Sequence, residues 1–190
     1  MANVLLGVTG SVAATRTPAL FAAMRQAGHA VRVVATESSL YFFDAKALPA
    51  GGLVRDADEW PAKKYQRDDP VLHIELRKWA ELLVVAPLDA NTLAKFAGGL
   101  CDNCLCCVWR AWDSGRPVLV APAMNTFMWQ HPATARHLAQ IRQDISRLNI
   151  LGPIDKMLAC GDTGTGGMAE VPDIVAAVGK FLSSAPDFAG

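Results

Sequence analysis

The sequence has no surplus of charge of either sign, because its 18 basic residues balance its 18 acidic ones. A basic surplus is what attracts nucleic acids and anionic membranes, so the composition supports neither partner. No uninterrupted apolar run approaches the roughly 20 residues that a membrane-spanning helix needs. The N-terminus also lacks the charged start and the long apolar stretch of a signal peptide. We therefore expect a cytoplasmic protein that binds neither nucleic acid nor membrane.

Two well-known phosphate-binding fingerprints are missing as well. The chain contains neither the G-x-G-x-x-G motif of dinucleotide-binding folds nor the G-x-x-x-x-G-K-[ST] P-loop. It has no internal repeat and no low-complexity tract. What it does have is 190 residues, of which 52% are hydrophobic, and this is enough to bury a substantial core. We predict a single globular domain over residues 1–190.

Four of the five cysteines crowd together as Cys101, Cys104, Cys106 and Cys107. A Cys-x-x-Cys pair can bind zinc or act in redox chemistry. This segment, however, has the pattern of a half-buried helix, on which adjacent side chains point about 100° apart and cannot easily share one metal ion. No second ligand cluster follows at zinc-site spacing. We therefore predict no metal site, and reduced thiols that pack as small apolar groups.

Short apolar runs alternate with longer amphipathic ones along the chain. Near-continuous apolar strands separated by helices indicate a parallel sheet that is covered on both faces. The predicted fold is thus α/β, a doubly wound three-layer sandwich of the Rossmann-like or flavodoxin-like kind. Residues 44–70 are rich in Gly, Pro and charge and predict loops with one short strand near 53–54. The other predicted strands are 4–8, 30–35, 82–86, 117–121 and 149–152, and the predicted helices are 17–26, 36–43, 73–80, 91–97, 102–112, 132–147 and 171–182.

Polar residues follow the first predicted strand, at the edge where open α/β sheets bind ligands. Gly10 permits close approach of the backbone, and the hydroxyls of Thr9 and Ser11 can bind phosphate oxygens beside the start of a helix. The alternative is an ordinary turn between a strand and a helix.

Similar groups follow the next strands. Thr36 and Ser38 come after the second strand, where simple helix capping explains them equally well. Asp89, Asn91 and Thr92 come after the strand at 82–86 and could hold a heteroaromatic ring or a ribityl chain. For these three, a turn with a helix cap is the alternative.

One amide side chain, Asn125, follows the strand at 117–121 and is flanked by Met124, Met128 and Trp129. An amide can donate to a carboxylate and accept from an N–H at the same time. A substrate-binding residue and a turn asparagine with packing methionines are both consistent with this pattern.

Two further residues could move protons. His73 carries an imidazole, the side chain that most often moves protons in enzymes, although a single histidine is more often structural. Cys160 lies in a glycine-rich stretch of the kind that often closes over substrates, and its thiol could act as an acid or a nucleophile. A surface loop with an incidental cysteine is the alternative.

Four blocks of sequence, taken together and in order, resemble the homo-oligomeric flavin-containing cysteine decarboxylases, and within them the phosphopantothenoylcysteine decarboxylase family. The resemblance runs from about residue 4 to residue 178. The blocks are HIELRKWA at 73–80, APLDANTL at 86–93, PAMNTFMW at 122–129 and LACGD at 158–162.

The resemblance implies FMN as a non-covalent cofactor and gives roles to the residues named above. It implies that His73 is the active-site base and that Cys160 is a proton donor on a flexible clamp. It implies that the substrate is bound by Asn125, which grips the carboxylate, with Met128, Ala159 and Gly161 close by. The FMN-binding residues that it implies are Gly10, Ser11, Val12, Ala13, Thr36, Ser38, Asp89, Ala90, Asn91, Thr92 and Ala123.

The implied reaction is decarboxylation of the terminal cysteine of 4′-phosphopantothenoylcysteine to 4′-phosphopantetheine, a step of coenzyme A synthesis. In the family, a thioaldehyde β to the carboxylate accepts the electrons when carbon dioxide leaves, and an enethiolate results. Members assemble as trimers with the active site between subunits, and we expect exposed side chains such as Trp109 and Trp112 to suit such an interface. The alternatives are a peptidyl-cysteine decarboxylase, a non-catalytic FMN-binding regulator of a phosphatase, and a flavin prenyltransferase.

Overall fold

Six parallel strands form the central sheet of the protein, in a computed structural model that describes residues 1–61, 63–157 and 163–183. Their order is β3-β2-β1-β4-β5-β6, which is the order of the doubly wound Rossmann fold. A separate antiparallel hairpin, β7-β8, follows the last strand of the sheet. The strands are β1 Asn3–Val8, β2 Ala30–Ala35, β3 Leu53–Arg55, β4 Leu82–Leu88, β5 Val118–Pro122, β6 Leu148–Ile150, β7 Ile154–Met157 and β8 Thr163–Gly167.

Helices cover both faces of this sheet, so the predicted three-layer α/β sandwich is confirmed. They are α1 Thr17–Gln26, α2 Asp56–Glu59, α3 Leu72–Trp79, α4 Ala90–Gly98, α5 Cys104–Ala111, α6 Thr126–Gln130, α7 Pro132–Asp144 and α8 Val171–Ser183, with short 3-10 helices at Val12–Arg16, Glu37–Tyr41 and Ala45–Ala47. None of the helices within the described ranges is long and apolar enough to cross a membrane.

The hydrophobic core lies in two layers, one on each face of the sheet. Because side chains alternate along a strand, Val4 and Leu6 pack with α1 and α8, whereas Leu5 packs with α3, α4, α5 and α7. Both leucines are fully buried, and burying such a side chain stabilises the fold by roughly 1.5–3 kcal/mol. The strands therefore have little freedom, and their carboxyl ends are fixed in space.

Two helix predictions need correction. Residues 36–43 form a short 3-10 helix, Glu37–Tyr41, because Ser39 Oγ donates to Thr36 O at 2.6 Å and competes with regular helical bonding. The helix predicted at 132–147 ends at Asp144, because the chain turns to extended geometry at Ile145, whose side chain enters the core. The helices α2 and α6 and the β7-β8 hairpin were not predicted, since each is too short to show a hydrophobic period.

The expectation that Trp109 and Trp112 are exposed at an interface is wrong. Both are buried, because α5 and the residue that follows it pack in the core layer that α5 shares with α3 and α4. Trp109 stacks on Phe96 with ring centroids 4.0 Å apart, and the Arg116 guanidinium lies 4.8 Å from the centre of the Trp112 ring. Both indoles therefore stabilise the core and are not available to a partner subunit.

Candidate active site

Thr9 joins the loops that follow β1 and β4. Its buried hydroxyl donates to Pro87 O at 2.9 Å and accepts from the Asp89 backbone N–H at 2.7 Å. The hydroxyl thus uses both its donor and its acceptor capacity to hold two loops at the carboxyl edge of the sheet. The relative position of the two loops is therefore fixed by one side chain.

Gly10 lies where three loops meet. A Cβ atom built on Gly10 would stand 2.5 Å from Ser38 Oγ and 3.3 Å from Asp89 Oδ2. Those side chains belong to the loops after β2 and β4, so only a residue without a side chain lets the three loops come this close. We call Thr9, Gly10, Ser38 and Asp89 the cradle.

Two further hydroxyl-bearing residues, Ser11 and Thr36, also lie at this edge of the sheet. Ser11 caps the 3-10 helix Val12–Arg16, with its Oγ accepting from the Ala13 N–H at 3.4 Å. Thr36 does not cap the helix that it precedes; instead its Oγ1 lies 3.1 Å from Ser38 Oγ and 3.4 Å from Val8 O. The capping alternative is therefore wrong for Thr36. Hydroxyls gathered beside a helix start form a site that suits a phosphate group.

The polar residues predicted after β4 have different environments, since one caps a helix, one is buried and one is exposed. Asp89 caps α4, with its Oδ1 accepting from the Thr92 N–H at 2.6 Å. Thr92 is buried, Ala90 is half-buried, and Asn91 is exposed at the start of the helix. The capping alternative thus holds for Asp89, while its second oxygen, Oδ2, faces Gly10 in the cradle.

A cavity of about 370 Å³ is lined in part by Ser11, the residue that follows Gly10 of the cradle. It brings together the turn after β1, the loop after β5 and the β7-β8 hairpin, and the Met124 N–H bonds Gly166 O at 3.0 Å to fasten the loop to the hairpin. Apolar surface predominates on its walls, as in many small-molecule sites. Its lining residues are Ser11, Val12, Ala13, Thr15, Arg16, Ala123, Met124, Asn125, Lys156, Met157, Gly166, Gly167 and Met168.

Asn125 lines this cavity and also caps α6, because its Oδ1 accepts from the Phe127 N–H at 2.8 Å. The turn-asparagine interpretation is therefore confirmed, while the substrate-binding interpretation stays a prediction for a residue that also lines the cavity. Met128 is exposed on α6 and is not among the described residues that line the cavity.

Two cations on the cavity wall were not predicted from the sequence. Arg16 forms an ion pair with Glu170, and Lys156 Nζ lies 3.3 Å from the other oxygen of the same carboxylate. Both bonds lower the pKa of the Glu170 carboxyl, Arg16 having the larger effect. Because 140 positions separate Arg16 from Lys156, no local motif connects them, and only the fold places the two charges on one wall.

His73 lies in the first turn of α3 and is not among the described residues that line this cavity. Its ring Nδ1 is 2.5 Å from Glu59 Oε1, and its backbone N–H donates to Glu59 Oε2 at 2.9 Å. The Glu59 side chain is only 4% exposed, whereas that of His73 is 22% exposed. Sequence reasoning missed Glu59, which ends the four-residue helix α2 inside a segment predicted as loop.

The clustered cysteines pack rather than react. Cys104, Cys106 and Cys107 are buried, and burial raises the pKa of all three thiols, that of Cys106 to about 12 and that of Cys107 to about 11. Cys104 Sγ lies 3.6 Å from Glu59 Oε2, which raises its pKa further. Within the described ranges, no group of three or more His, Cys, Asp or Glu side chains could hold a metal ion.

The predicted clamp residues Ala159, Cys160 and Gly161 lie outside the described residues. The hairpin strands that flank them, β7 and β8, contribute Lys156, Met157, Gly166 and Gly167 to the cavity wall.

Comparison with known proteins gives one consistent result. A family model described as Flavoprotein matches residues 1–183. The phosphopantothenoylcysteine decarboxylase of Mus musculus is 52% identical over 182 residues, which make up 95% of this chain and 87% of that protein.

Two solved structures are similar over nearly their whole length. A phosphopantothenoylcysteine decarboxylase variant with a cysteine-to-serine substitution, complexed with pantothenoylaminoethenethiol, is 48% identical with a TM-score of 0.88, covering 96% of this chain and 99% of that one. The FMN-binding protein AtHal3 is also 48% identical, with a TM-score of 0.86 and coverage of 98% and 99%. The similarity therefore spans the sheet, the cradle and the cavity alike.

Proposed function

Because this chain belongs to the Flavoprotein family, and its relatives include phosphopantothenoylcysteine decarboxylases, we propose that it is an FMN-dependent carboxy-lyase of coenzyme A synthesis. It removes the cysteine carboxylate of 4′-phosphopantothenoylcysteine and yields 4′-phosphopantetheine. The observation that carries this function is the near-complete match to phosphopantothenoylcysteine decarboxylases, one of which is a solved structure in complex with pantothenoylaminoethenethiol.

The residues of the cradle fit FMN. Because Gly10 has no side chain, the loops that carry Ser38 and Asp89 approach the turn after β1 closely, and their polar groups lie together at the edge where the cofactor would bind. Ser11 and the start of the 3-10 helix Val12–Arg16 suit the FMN phosphate. The full set of proposed FMN-binding residues is Gly10, Ser11, Val12, Ala13, Thr36, Ser38, Asp89, Ala90, Asn91, Thr92 and Ala123.

A simple carboxylate does not lose carbon dioxide readily, because the electrons left behind need an acceptor. Bound FMN supplies a two-electron acceptor and donor, which allows the cysteine side chain of the substrate to be oxidised before decarboxylation and reduced afterwards. The protein then has three tasks: to hold the carboxylate, to remove the thiol proton and to return a proton to the product.

Asn125 holds the carboxylate in this proposal, since its side chain lines the cavity on a rigid helix cap. The surrounding apolar side chains, Met124 and Met168, keep water away from the carboxylate. Arg16 and Lys156 pair with one carboxylate, that of Glu170, so together these three side chains leave one net positive charge on the wall, which suits a substrate that also carries a phosphate group.

His73 is the base that takes the thiol proton, and it acts in the cavity of a neighbouring subunit. That it is not among the described residues lining the cavity of its own chain supports a trimer with active sites between subunits. Large apolar side chains near the cavity mouth support the same assembly, because Phe127 is 77% exposed and Met157 is 71% exposed in the single chain. These residues replace Trp109 and Trp112 as the proposed interface.

Cys160 returns a proton to the decarboxylated product, with Ala159 and Gly161 beside it. The strands on either side of it in sequence, β7 and β8, contribute Lys156, Met157, Gly166 and Gly167 to the cavity wall, which supports this role. We place the protein in the cytosol, where thiols stay reduced; the free thiols of Cys101, Cys104, Cys106 and Cys107 support this location.

Mass spectrometry of the reaction product tests this function. Purified protein with FMN is incubated with 4′-phosphopantothenoylcysteine, and in parallel with a peptide that ends in a C-terminal cysteine. We expect the first substrate to lose the mass of carbon dioxide and the peptide to remain unchanged. Turnover of the peptide alone would establish the peptidyl-cysteine decarboxylase instead, and flavin-loaded protein that changes neither substrate would contradict the proposed function.

A further inference from the structure

One buried carboxylate, that of Glu59, holds the proposed base from two sides. Its Oε1 lies 2.5 Å from His73 Nδ1, and its Oε2 accepts the backbone N–H of His73 at 2.9 Å. A third contact, from Cys104 Sγ at 3.6 Å, also reaches Oε2. With a side-chain exposure of only 4%, Glu59 has few competing water molecules and little room to move.

A carboxylate in this position decides which ring nitrogen of a histidine carries the proton. An ionised carboxylate is only an acceptor, so the atom that faces it must be an N–H. Nδ1 therefore carries the proton, and the lone pair for proton transfer remains on Nε2. The same relation between a carboxylate and an imidazole fixes the tautomer in serine hydrolases and in many metal-bound histidines.

We propose that Glu59 is a positioning residue for this reaction, which holds His73 as the Nδ1–H tautomer so that Nε2 is the base. The inference rests on the proposed function, because it takes His73 as the base. Glu59 also stabilises the imidazolium that forms when Nε2 accepts the thiol proton, since its negative charge adjoins Nδ1. No other atom leaves or joins the pair in this step: one proton moves from the substrate thiol to Nε2.

The elements around the pair show why this position is well defined. Glu59 ends α2, whose first residue, Asp56, accepts the Cys104 N–H at 3.1 Å and the Glu37 N–H at 3.1 Å. Asp56 thus ties α2 to the start of α5 and to the turn after β2, at the carboxyl edge of the sheet. Burial raises the pKa of Asp56, and the two backbone hydrogen bonds oppose this effect.

The substitution Glu59→Gln tests the proposal because a glutamine cannot replace both acceptor oxygens. If its carbonyl keeps the bond to the His73 backbone N–H, its amide group faces Nδ1 as a donor and favours the opposite tautomer. We expect kcat to fall on the order of 10²–10⁴-fold, the usual contribution of a working general base. We also expect KM and FMN binding to stay close to those of the unsubstituted protein.

A tautomer measurement provides a readout that does not depend on turnover. In ¹⁵N-histidine-labelled protein, the His73 ring signals are identified by their loss in His73→Asn. We expect the Nδ1–H pattern in the original protein and the Nε2–H pattern, or a mixture, in Glu59→Gln. Glu59→Asp, which keeps both acceptor oxygens on a shorter side chain, is expected to restore part of kcat and the Nδ1–H pattern.

Glu75→Gln is the matched control, because Glu75 is an exposed acid of the same helix α3 and the chemical change is identical. It should leave kcat and the His73 signals unchanged. If Glu59→Gln does not fold, Glu59→Asp carries the test, and its kcat must then lie below that of Glu75→Gln.

The outcomes separate this inference from the proposed function. Unchanged kcat in Glu59→Gln, or reduced kcat with the Nδ1–H pattern intact, overturns the positioning role. Normal turnover in His73→Asn removes the proposed base itself and leaves the role of Glu59 without a basis. Loss of activity in Glu59→Gln and in His73→Asn, together with the tautomer change in Glu59→Gln, supports both His73 as the base and Glu59 as its positioning residue.

Discussion

The cradle and the histidine–glutamate pair, His73 with Glu59, both lie at the carboxyl edge of the sheet, but they are built in different ways. The cradle is fixed by backbone groups and hydroxyls that bond one another, as Thr9 does with the loop after β4. The pair consists of two titratable side chains that are held by short helices outside the sheet. The cradle is therefore held in place by the strands of the sheet, whereas the histidine–glutamate pair is held in place by side-chain contacts.

This difference corresponds to a division of work. A cofactor needs a surface of fixed shape, and the ends of buried parallel strands supply one because the strands hold the adjoining loops in place. A base needs a defined protonation state, which depends on the charge and hydrogen bonds around it. In the proposed trimer, the two regions of one active site also come from different chains, so that the cofactor surface and the base can only meet on assembly.

The largest expected effect comes from the pair. We predict that His73→Asn loses turnover by on the order of 10²–10⁴-fold, because the amide cannot accept the thiol proton. The cradle is untouched, so the variant should still bind FMN. Steady-state kinetics and the visible absorption spectrum of the purified variant check both halves of this statement. A colourless variant would show that the two regions are not independent.

A smaller effect, confined to the cofactor, is expected in the cradle. The added methyl group of Gly10→Ala would stand 2.5 Å from Ser38 Oγ, so one of the loops must move. We predict that FMN affinity falls at least about tenfold, or roughly 1.4 kcal/mol, as measured by flavin fluorescence titration.

The matched control for this variant is Gly179→Ala. Gly179 lies within α8, and a Cβ atom added there meets nothing within 4 Å. It should leave FMN affinity unchanged and stabilise the fold by about 0.5–1 kcal/mol, because alanine is the better helix residue. Equal FMN affinities in the two variants would contradict the cradle.

The contrast between the two regions also explains what could be predicted from the sequence. The strands, and with them Gly10, Ser11, Ser38, Asp89 and Asn125, follow from hydrophobic runs and from the polar residues at their ends. Their side chains had to lie at one edge because the strands are parallel. No such rule applied to Glu59, which lies in a short helix without periodicity and contacts a residue 14 positions away.

The error about Trp109 and Trp112 has a related cause. A helical segment with apolar residues on all sides is typical of a buried helix. Because the segment at 102–112 was interpreted as half-buried, Trp109 and Trp112 were predicted to lie at an interface. The burial of α5 by neighbouring helices is a tertiary feature, and the local sequence pattern does not predict it. The proposed interface therefore rests on Phe127 and Met157, whose exposure only the structure reveals.

The smallest expected effect concerns the cysteines that adjoin the pair. Burial raises the pKa of Cys106 to about 12, so its thiolate is scarce at neutral pH, and Cys104 and Cys107 behave similarly. We predict that iodoacetamide labels the exposed Cys101 in the native protein and spares these three until the protein is unfolded. Peptide mapping, with Cys160→Ser as background, checks this. Rapid labelling of Cys104 would show that the surroundings of Glu59 are open to solvent.

The central claim, that the cradle of one chain works with the histidine–glutamate pair of another, is tested most directly by mixing two inactive variants. His73→Asn lacks the base. Asn125→Asp keeps the cap of α6 but places a negative charge where the substrate carboxylate should bind. The two carry different affinity tags and are co-expressed, and the mixed assemblies are purified through both tags. In a mixed trimer one site in three combines an intact base with an intact cavity, so we predict about one third of the original activity. Mixed assemblies as inactive as the two parent variants would contradict the account.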